Sequence, residues 1–153
     1  MFTTSKEKKL KPSFSKQETN YSCVPACLRM VFSSFGLDVP EAELRHVCDS
    51  TAFGTGAFQV LDVARRYGFA QTAKHTLTGE ELAEVAAADQ YPIVFLNLWP
   101  LEQIWESHAV IVLVVEDANV LVLDPATGER LIPRTSFEAG WQLQHRVVII
   151  IAK

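Results

Sequence analysis

The chain is poor in cysteine, in net charge and in long apolar runs, and each scarcity removes a class of protein. Three cysteines among 153 residues is an odd and small number, unlike the even, dense sets that staple small secreted domains. A disulfide scaffold is excluded, and a reducing, cytoplasmic setting is expected. Fourteen Lys and Arg against eighteen Asp and Glu leave a net charge of −4. Binding to nucleic acid relies on cations that neutralise phosphates, so no nucleic-acid partner is expected. The longest apolar stretches, Ala109 to Val115 and Val147 to Ala152, fall well short of the roughly 20 residues that a membrane helix needs, so no membrane span is expected. No apolar run follows the first lysines, as a signal peptide would require. Internal repeats and low-complexity segments are also missing.

What is present is core material. Hydrophobic residues make up 48% and charged residues 21%, the profile of a soluble globular domain, and a chain of this length can bury enough apolar surface to fold without staples. Residues 1–11 carry Lys6, Lys8 and Lys9 among polar residues without apolar period and are expected to form a disordered arm; residues 12–153 are expected to form a single domain. From Cys23 the pattern is helical, with Val24, Cys27, Leu28, Val31 and Phe35 on one stripe and Gly36 placed as the stop. Pro25 fits only the first turn, where no amide donor is missed, so Cys23 belongs at the helix N-terminus.

Further helices are expected from about Pro40 to Cys48, from Ala57 to Tyr67, and from Thr78 to about Ala88, the last opened by the capping-box pair Thr78 and Glu81. The segment STAFGTG between the first two reads as loop. Runs rich in β-branched residues then predict strands over Ile93–Leu98, His108–Val115, Val120–Asp124, Arg130–Pro133 and His145–Ile151. Helices lead and strands follow, which predicts an α+β fold with an antiparallel sheet.

Four residues carry candidate chemistry. A cysteine at a helix N-terminus sits beside unpaired amide donors and the positive end of the dipole, an arrangement that favours the attacking thiolate. Taken alone, Cys23 reads more readily as a small buried core residue, the commoner fate of a cysteine. His108 opens one apolar strand and Asp124 closes the next; an imidazole oriented by a carboxylate can take a proton from a thiol. Gln17, six residues before Cys23, could donate to an oxyanion together with the Cys23 amide. Trp99 and Trp105, on the approach to His108, either line a peptide groove or cap the core. A metal site built from Cys23, Cys27, His46 and Cys48 is disfavoured, because four-residue spacing of cysteines is not a usual zinc pattern and His-x-Cys within a helix diverges. His75 and His145 are rival bases, but neither is followed by a strand ending in Asp. No cofactor or metal is needed.

These strings in this order, QETNYSCVPACLRMVFSSFG, GAFQVLDVARRYGF, HAVIVLVVEDANVLVLDPATG and SFEAGW, resemble the C39 family of papain-like cysteine peptidases, known for removing leaders from bacteriocin-type peptides after a double glycine. The resemblance covers roughly residues 12–151. It implies a papain-like fold with N-terminal helices on a C-terminal sheet, and a peptide or protein substrate. It also implies Cys23 as nucleophile, His108 as general base and acid, Asp124 as orienting group and Gln17 as oxyanion donor. Ser22, Val24 and Ala109 depart from residues common in that family and bear on substrate choice. Other acyl transfers on the same residues, such as deamidation or acyl exchange, remain alternatives, as does a non-catalytic peptide-docking module.

The His108–Asp124 pairing carries a geometric condition. Side chains alternate faces along a strand, so a two-residue turn at Asp117-Ala118 with a regular ladder would set Ile111 opposite Asp124 and turn the carboxylate away from His108. An odd-length turn or a bulge between Val115 and Val120 is therefore expected, pairing Val110 with Asp124.

Overall fold

A computed structural model describes residues 9–48 and 56–153. Helix α1 spans Cys23–Ser34; Gly36, at φ +80°, turns the chain out of it, with its amide on the Ser33 carbonyl at 3.0 Å. A residue with a Cβ would be strained there. Helix α2 spans Glu41–Val47 and α3 Ala57–Arg66, followed by strand β1 over Ala73–Thr76. Helix α4, Gly79–Ala87, begins with the expected capping box: Thr78 Oγ1 accepts from the Glu81 amide at 3.2 Å, and Glu81 Oε1 accepts from the Thr78 amide at 2.9 Å. Strand β2 (Ile93–Asn97), short helix α5 (Trp99–Glu102), strands β3 (Ser107–Val115), β4 (Asn119–Asp124) and β5 (Gly128–Pro133), helix α6 (Arg134–Leu143) and strand β6 (Val147–Ile150) complete the chain.

The six strands form one sheet in the order β1-β6-β2-β3-β4-β5, with antiparallel neighbours throughout. Both faces are covered. Phe95, Ala109, Ile111, Leu123 and Ile149 pack with Leu28, Val31, Phe32 and Leu44 of the early helices. Val94, Val110, Val112, Val122 and Val148 pack with Leu82 and Val85 of α4 and Phe137 and Trp141 of α6. This explains why β2 is buried at all five positions: a strand covered on both faces loses the alternation of a half-exposed one.

The α+β class and antiparallel sheet agree with expectation, but three elements depart from the simple order of helices then strands. Strand β1, with sequence AKHT, precedes α4 and lies at the sheet edge; its alternating half-exposed pattern gave no apolar run. Helix α5 is a single turn. Helix α6 is more informative: Phe137 and Trp141 lie one turn apart and fully buried, and Gly140 lets the helix approach β2 so closely that a Cβ would meet the Asn97 carbonyl at 2.5 Å. Strand β6 starts later than expected because His145 and Arg146 both hold positive φ. The loop expected over STAFGTG lies outside the described residues except Gly56, as does most of the arm expected over 1–11. Of that arm, Leu10 donates to the Ser34 carbonyl at 3.0 Å and Lys11 pairs with Glu129.

Candidate active site

The β3–β4 hairpin sets the site. Its turn has two residues, Asp117-Ala118, closed by the Glu116 amide on the Asn119 carbonyl at 2.8 Å. Near the turn Val115 faces Val120 and Val114 faces Leu121; beyond it Val112 faces Val122 and Ile111 faces Leu123, so the register shifts by one residue at Leu113. The bulge thus exists, but inside β3 rather than in the expected stretch between Val115 and Val120. Its effect is the required one. Carried one step beyond the last pair, Ile111–Leu123, this register would set Val110 across from Asp124, which returns His108 and Asp124 to a common face. His108 Nε2 and Asp124 Oδ1 stand 2.7 Å apart.

Asp124 is held on every side. Oδ1 also accepts from the Ala126 amide at 2.8 Å, an Asx-type turn made possible by the strand ending there, and Oδ2 lies 3.4 Å from Arg130 Nη1. Burial works against the ionised carboxylate, but the His108 hydrogen bond and charge, the Ala126 amide and Arg130 prevail and hold its pKa below the ordinary value. For His108 the balance is similar: burial opposes the imidazolium, yet hydrogen bonds and charge from Asp124 and Cys23 raise the pKa from 6.5 to about 10.

Cys23 approaches the same imidazole from the N-terminus of α1. One turn further along, Cys27 Sγ donates to the Ala109 carbonyl at 3.6 Å, which seats that end of the helix beside the start of β3. With Nε2 taken by Asp124, Nδ1 is the ring nitrogen left for the thiol. Ser22, the N-cap residue, does not cap α1 with its side chain; its Oγ instead accepts from the Thr19 amide at 3.0 Å and donates to the Thr19 carbonyl at 3.1 Å. The first amides of α1 are thereby left without a side-chain acceptor.

Gln17 lies in the loop that leads into α1. Its amide donates to the Pro125 carbonyl at 2.8 Å, which ties it to the residue after Asp124. Its carboxamide Nε2 donates to the Thr19 carbonyl at 2.7 Å, which uses one of two protons, while Oε1 is buried with no hydrogen-bond partner among the described residues.

The other candidates stand apart. Cys27 and Cys48 are buried; burial and the neighbouring Cys23 and Asp124 push the Cys27 thiol well up, and burial raises Cys48 to about 12. His46 is exposed. His75 sits on β1, separated from β3 by β6 and β2 in the sheet order, and His145 is exposed in the turn before β6. Trp99 and Trp105 do not cap the core: they are 49% and 68% exposed, with ring centroids 6.5 Å apart. Sequence reasoning missed Arg130 and its second partner, Glu102 at 3.0 Å. The signal was the DPATG turn: it pairs Asp124 with Gly128, so a residue two further along β5 is a same-face diagonal neighbour of Asp124.

A helix carrying a cysteine at its N-terminus, set against an antiparallel sheet that presents a paired histidine and aspartate, is the architecture of a papain-like cysteine peptidase. The sequence model of the peptidase C39 family matches residues 11–153, and the chain belongs to that family. An uncharacterized protein of Methanothermobacter marburgensis is 28% identical over 122 residues, covering 80% of this chain and 78% of its own. Among solved structures, a double glycine motif protease from an AMS/PCAT transporter, crystallised with its leader peptide, superposes with a TM-score of 0.76 at 22% identity, covering 98% of this chain and 97% of that one. The peptidase domain of Streptococcus ComA, a bifunctional ABC transporter of a quorum-sensing pathway, gives 0.74 at 21%, covering 95% and 98%. At such identities the likeness establishes the shared fold.

Proposed function

We propose that this chain hydrolyses a peptide bond through Cys23, His108 and Asp124, with Gln17 and the Cys23 amide holding the oxyanion, and that its substrate is a leader-type peptide. The observation that carries the reading is the 2.7 Å His108–Asp124 pair, which the Leu113 bulge puts on one face and which meets Cys23 at the start of α1. Asp124 holds Nε2, so Nδ1 exchanges the proton with Cys23. The sulfur attacks the scissile carbonyl carbon and the carbonyl oxygen takes the negative charge. The unused Gln17 Nε2 proton and the Cys23 N–H are the donors available to that oxygen.

Collapse of the tetrahedral adduct breaks the C–N bond, and His108, which at neutral pH holds its proton, delivers it to the leaving amine. The ring, now neutral, takes a proton from water as that water adds to the thioester, and the acid product leaves with Cys23 restored. Peptide specificity is supported by the exposed Trp99 and Trp105 beside the His108 strand and by the leader peptide bound to the double glycine protease of the same fold. The test is cleavage of synthetic leader-type peptides with an internal Gly-Gly, followed by mass spectrometry. Wild type should cut after the second glycine and Cys23→Ala should not. Cleavage by Cys23→Ala at the wild-type rate would refute the mechanism, and wild-type cleavage away from Gly-Gly would refute the leader reading alone.

A further inference from the structure

Among the described residues the mechanism leaves one buried carboxylate unused. Glu41, the first residue of α2, has a side chain only 1% exposed. A carboxylate taken out of water is costly unless its oxygens are matched, and each oxygen of Glu41 is. Oε1 accepts from the Glu18 backbone amide at 2.9 Å. Oε2 pairs with Arg45, one turn along the same helix, and Arg45 in turn reaches Glu18 Oε1 at 3.0 Å.

The place where this clamp closes is the loop that carries Gln17. Three successive amides of that loop are tied to three different parts of the fold. Gln17 N–H goes to the Pro125 carbonyl at the end of β4, Glu18 N–H to Glu41 on α2, and Thr19 N–H to Ser22 Oγ just before α1. The Gln17 carboxamide is then oriented by the Thr19 carbonyl at 2.7 Å. An exposed loop without regular structure would otherwise sample many conformers, and an oxyanion donor contributes only when held in place beforehand.

We propose that Glu41 is a positioning residue for the oxyanion donor: by fixing the Glu18 amide from α2, it sets where the Gln17 carboxamide lies relative to Cys23. The inference rests on the reading of Gln17 given above, and it assigns Glu41 no contact with substrate. Arg45 holds the other carboxylate oxygen and so aims the group at the loop rather than acting on Gln17 itself.

The assay is turnover of an N-acylglycine p-nitrophenyl ester, which reports acyl chemistry on Cys23 without depending on a peptide sequence. Glu41→Leu removes the acceptor and should lower kcat by at least about tenfold, with KM held within about twofold, since a donor matters to the transition state rather than to ground-state binding. Glu41→Gln keeps an acceptor for the Glu18 amide and should recover most of kcat. In the Gln17→Ala background, Glu41→Leu should change kcat by less than about twofold, because both changes remove the same contribution.

Should Glu41→Leu fail to fold, the same bond can be deleted from the other end. Ligation at Cys23 joins a synthetic residue 1–22 segment carrying an ester at position 18 to the rest of the chain, and the full-length product should show the same kcat loss. If Gln17→Ala is impaired while Glu41→Leu, or the ester, is folded with wild-type kcat, the positioning role is refuted and the oxyanion reading survives. Multiplicative losses in the double variant would refute it equally. A Gln17→Ala enzyme with full kcat would overturn both.

Discussion

Replacing Asp124 by Asn probes the element on which the site depends. In the native protein the His108 pKa stands near 10, against an ordinary 6.5. At about 1.4 kcal/mol per tenfold, that gap is on the order of 5 kcal/mol in favour of the imidazolium, after burial has opposed it. Asparagine keeps the size of the side chain but removes the charge, and a carboxylate in contact moves a partner's pKa by roughly one to three units. The His108 midpoint should therefore fall by about two units in Asp124→Asn. The direct measurement is a titration of the imidazole by nuclear magnetic resonance with 15N-labelled histidine, in wild type and variant, accompanied by the pH dependence of kcat/KM. The sign follows from linkage. A raised histidine contributes stability that is complete below 6.5 and lost as pH rises through about 10. The depressed Asp124 contributes stability that is complete above its ordinary 3.8 and lost as pH falls below that value. Wild type should hold both contributions in full only at mildly acidic pH and lose the His108 part progressively from 6.5 to about 10, and Asp124→Asn should lose that part about two pH units earlier. A wild-type His108 that titrates near 6.5, or a midpoint unmoved in the variant, would refute the reasoning.

Brief iodoacetamide treatment of the folded protein at neutral pH should label Cys23 before Cys27 and Cys48, which are buried with raised thiols; peptide mass spectrometry gives the order, and equal labelling counts against the site. Arg130→Gln removes one of the influences that depress Asp124, so acid unfolding followed by circular dichroism should begin at higher pH than in wild type. Gly140→Ala forces a Cβ onto the Asn97 carbonyl and should cost about 1–3 kcal/mol in denaturant melts. Trp141→Ala, which empties a fully buried site, should cost about 3–5 kcal/mol.

The residues that made the site legible in the sequence are those whose chemistry depends on position along one element. Cys23 was readable because Pro25 and the apolar stripe fix where α1 starts, and the Thr78–Glu81 box fixed α4 in the same way. His108 and Asp124 were readable as strand ends, and the need for one extra residue between them followed from alternation alone. Its location did not. A bulge at Leu113 leaves no mark in a run of Val, Ile and Leu, because every residue there is equally at home in a strand. Glu41 and the Arg130–Glu102 pair were hidden for a different reason: each acts between elements distant in sequence, Arg130 on Glu102 and Glu41 on the loop before α1, whereas the contact of Arg130 with Asp124 follows from the register of the DPATG turn. Helix α6 was obscured by its glycine, which lowers helix propensity but is needed for the approach to β2.

The central claim is that Cys23 is a nucleophile activated by His108, and a short peptidyl vinyl sulfone ending in Gly-Gly tests it most directly. Intact-mass and peptide-mass spectrometry after exposure at neutral pH should show a single adduct on Cys23 in wild type and none in Cys23→Ala. In His108→Ala the rate of adduct formation should fall by on the order of a hundredfold or more, the scale of a lost proton-transfer group. An adduct on Cys27 or Cys48, or a Cys23 rate unchanged by the loss of His108, would contradict the account.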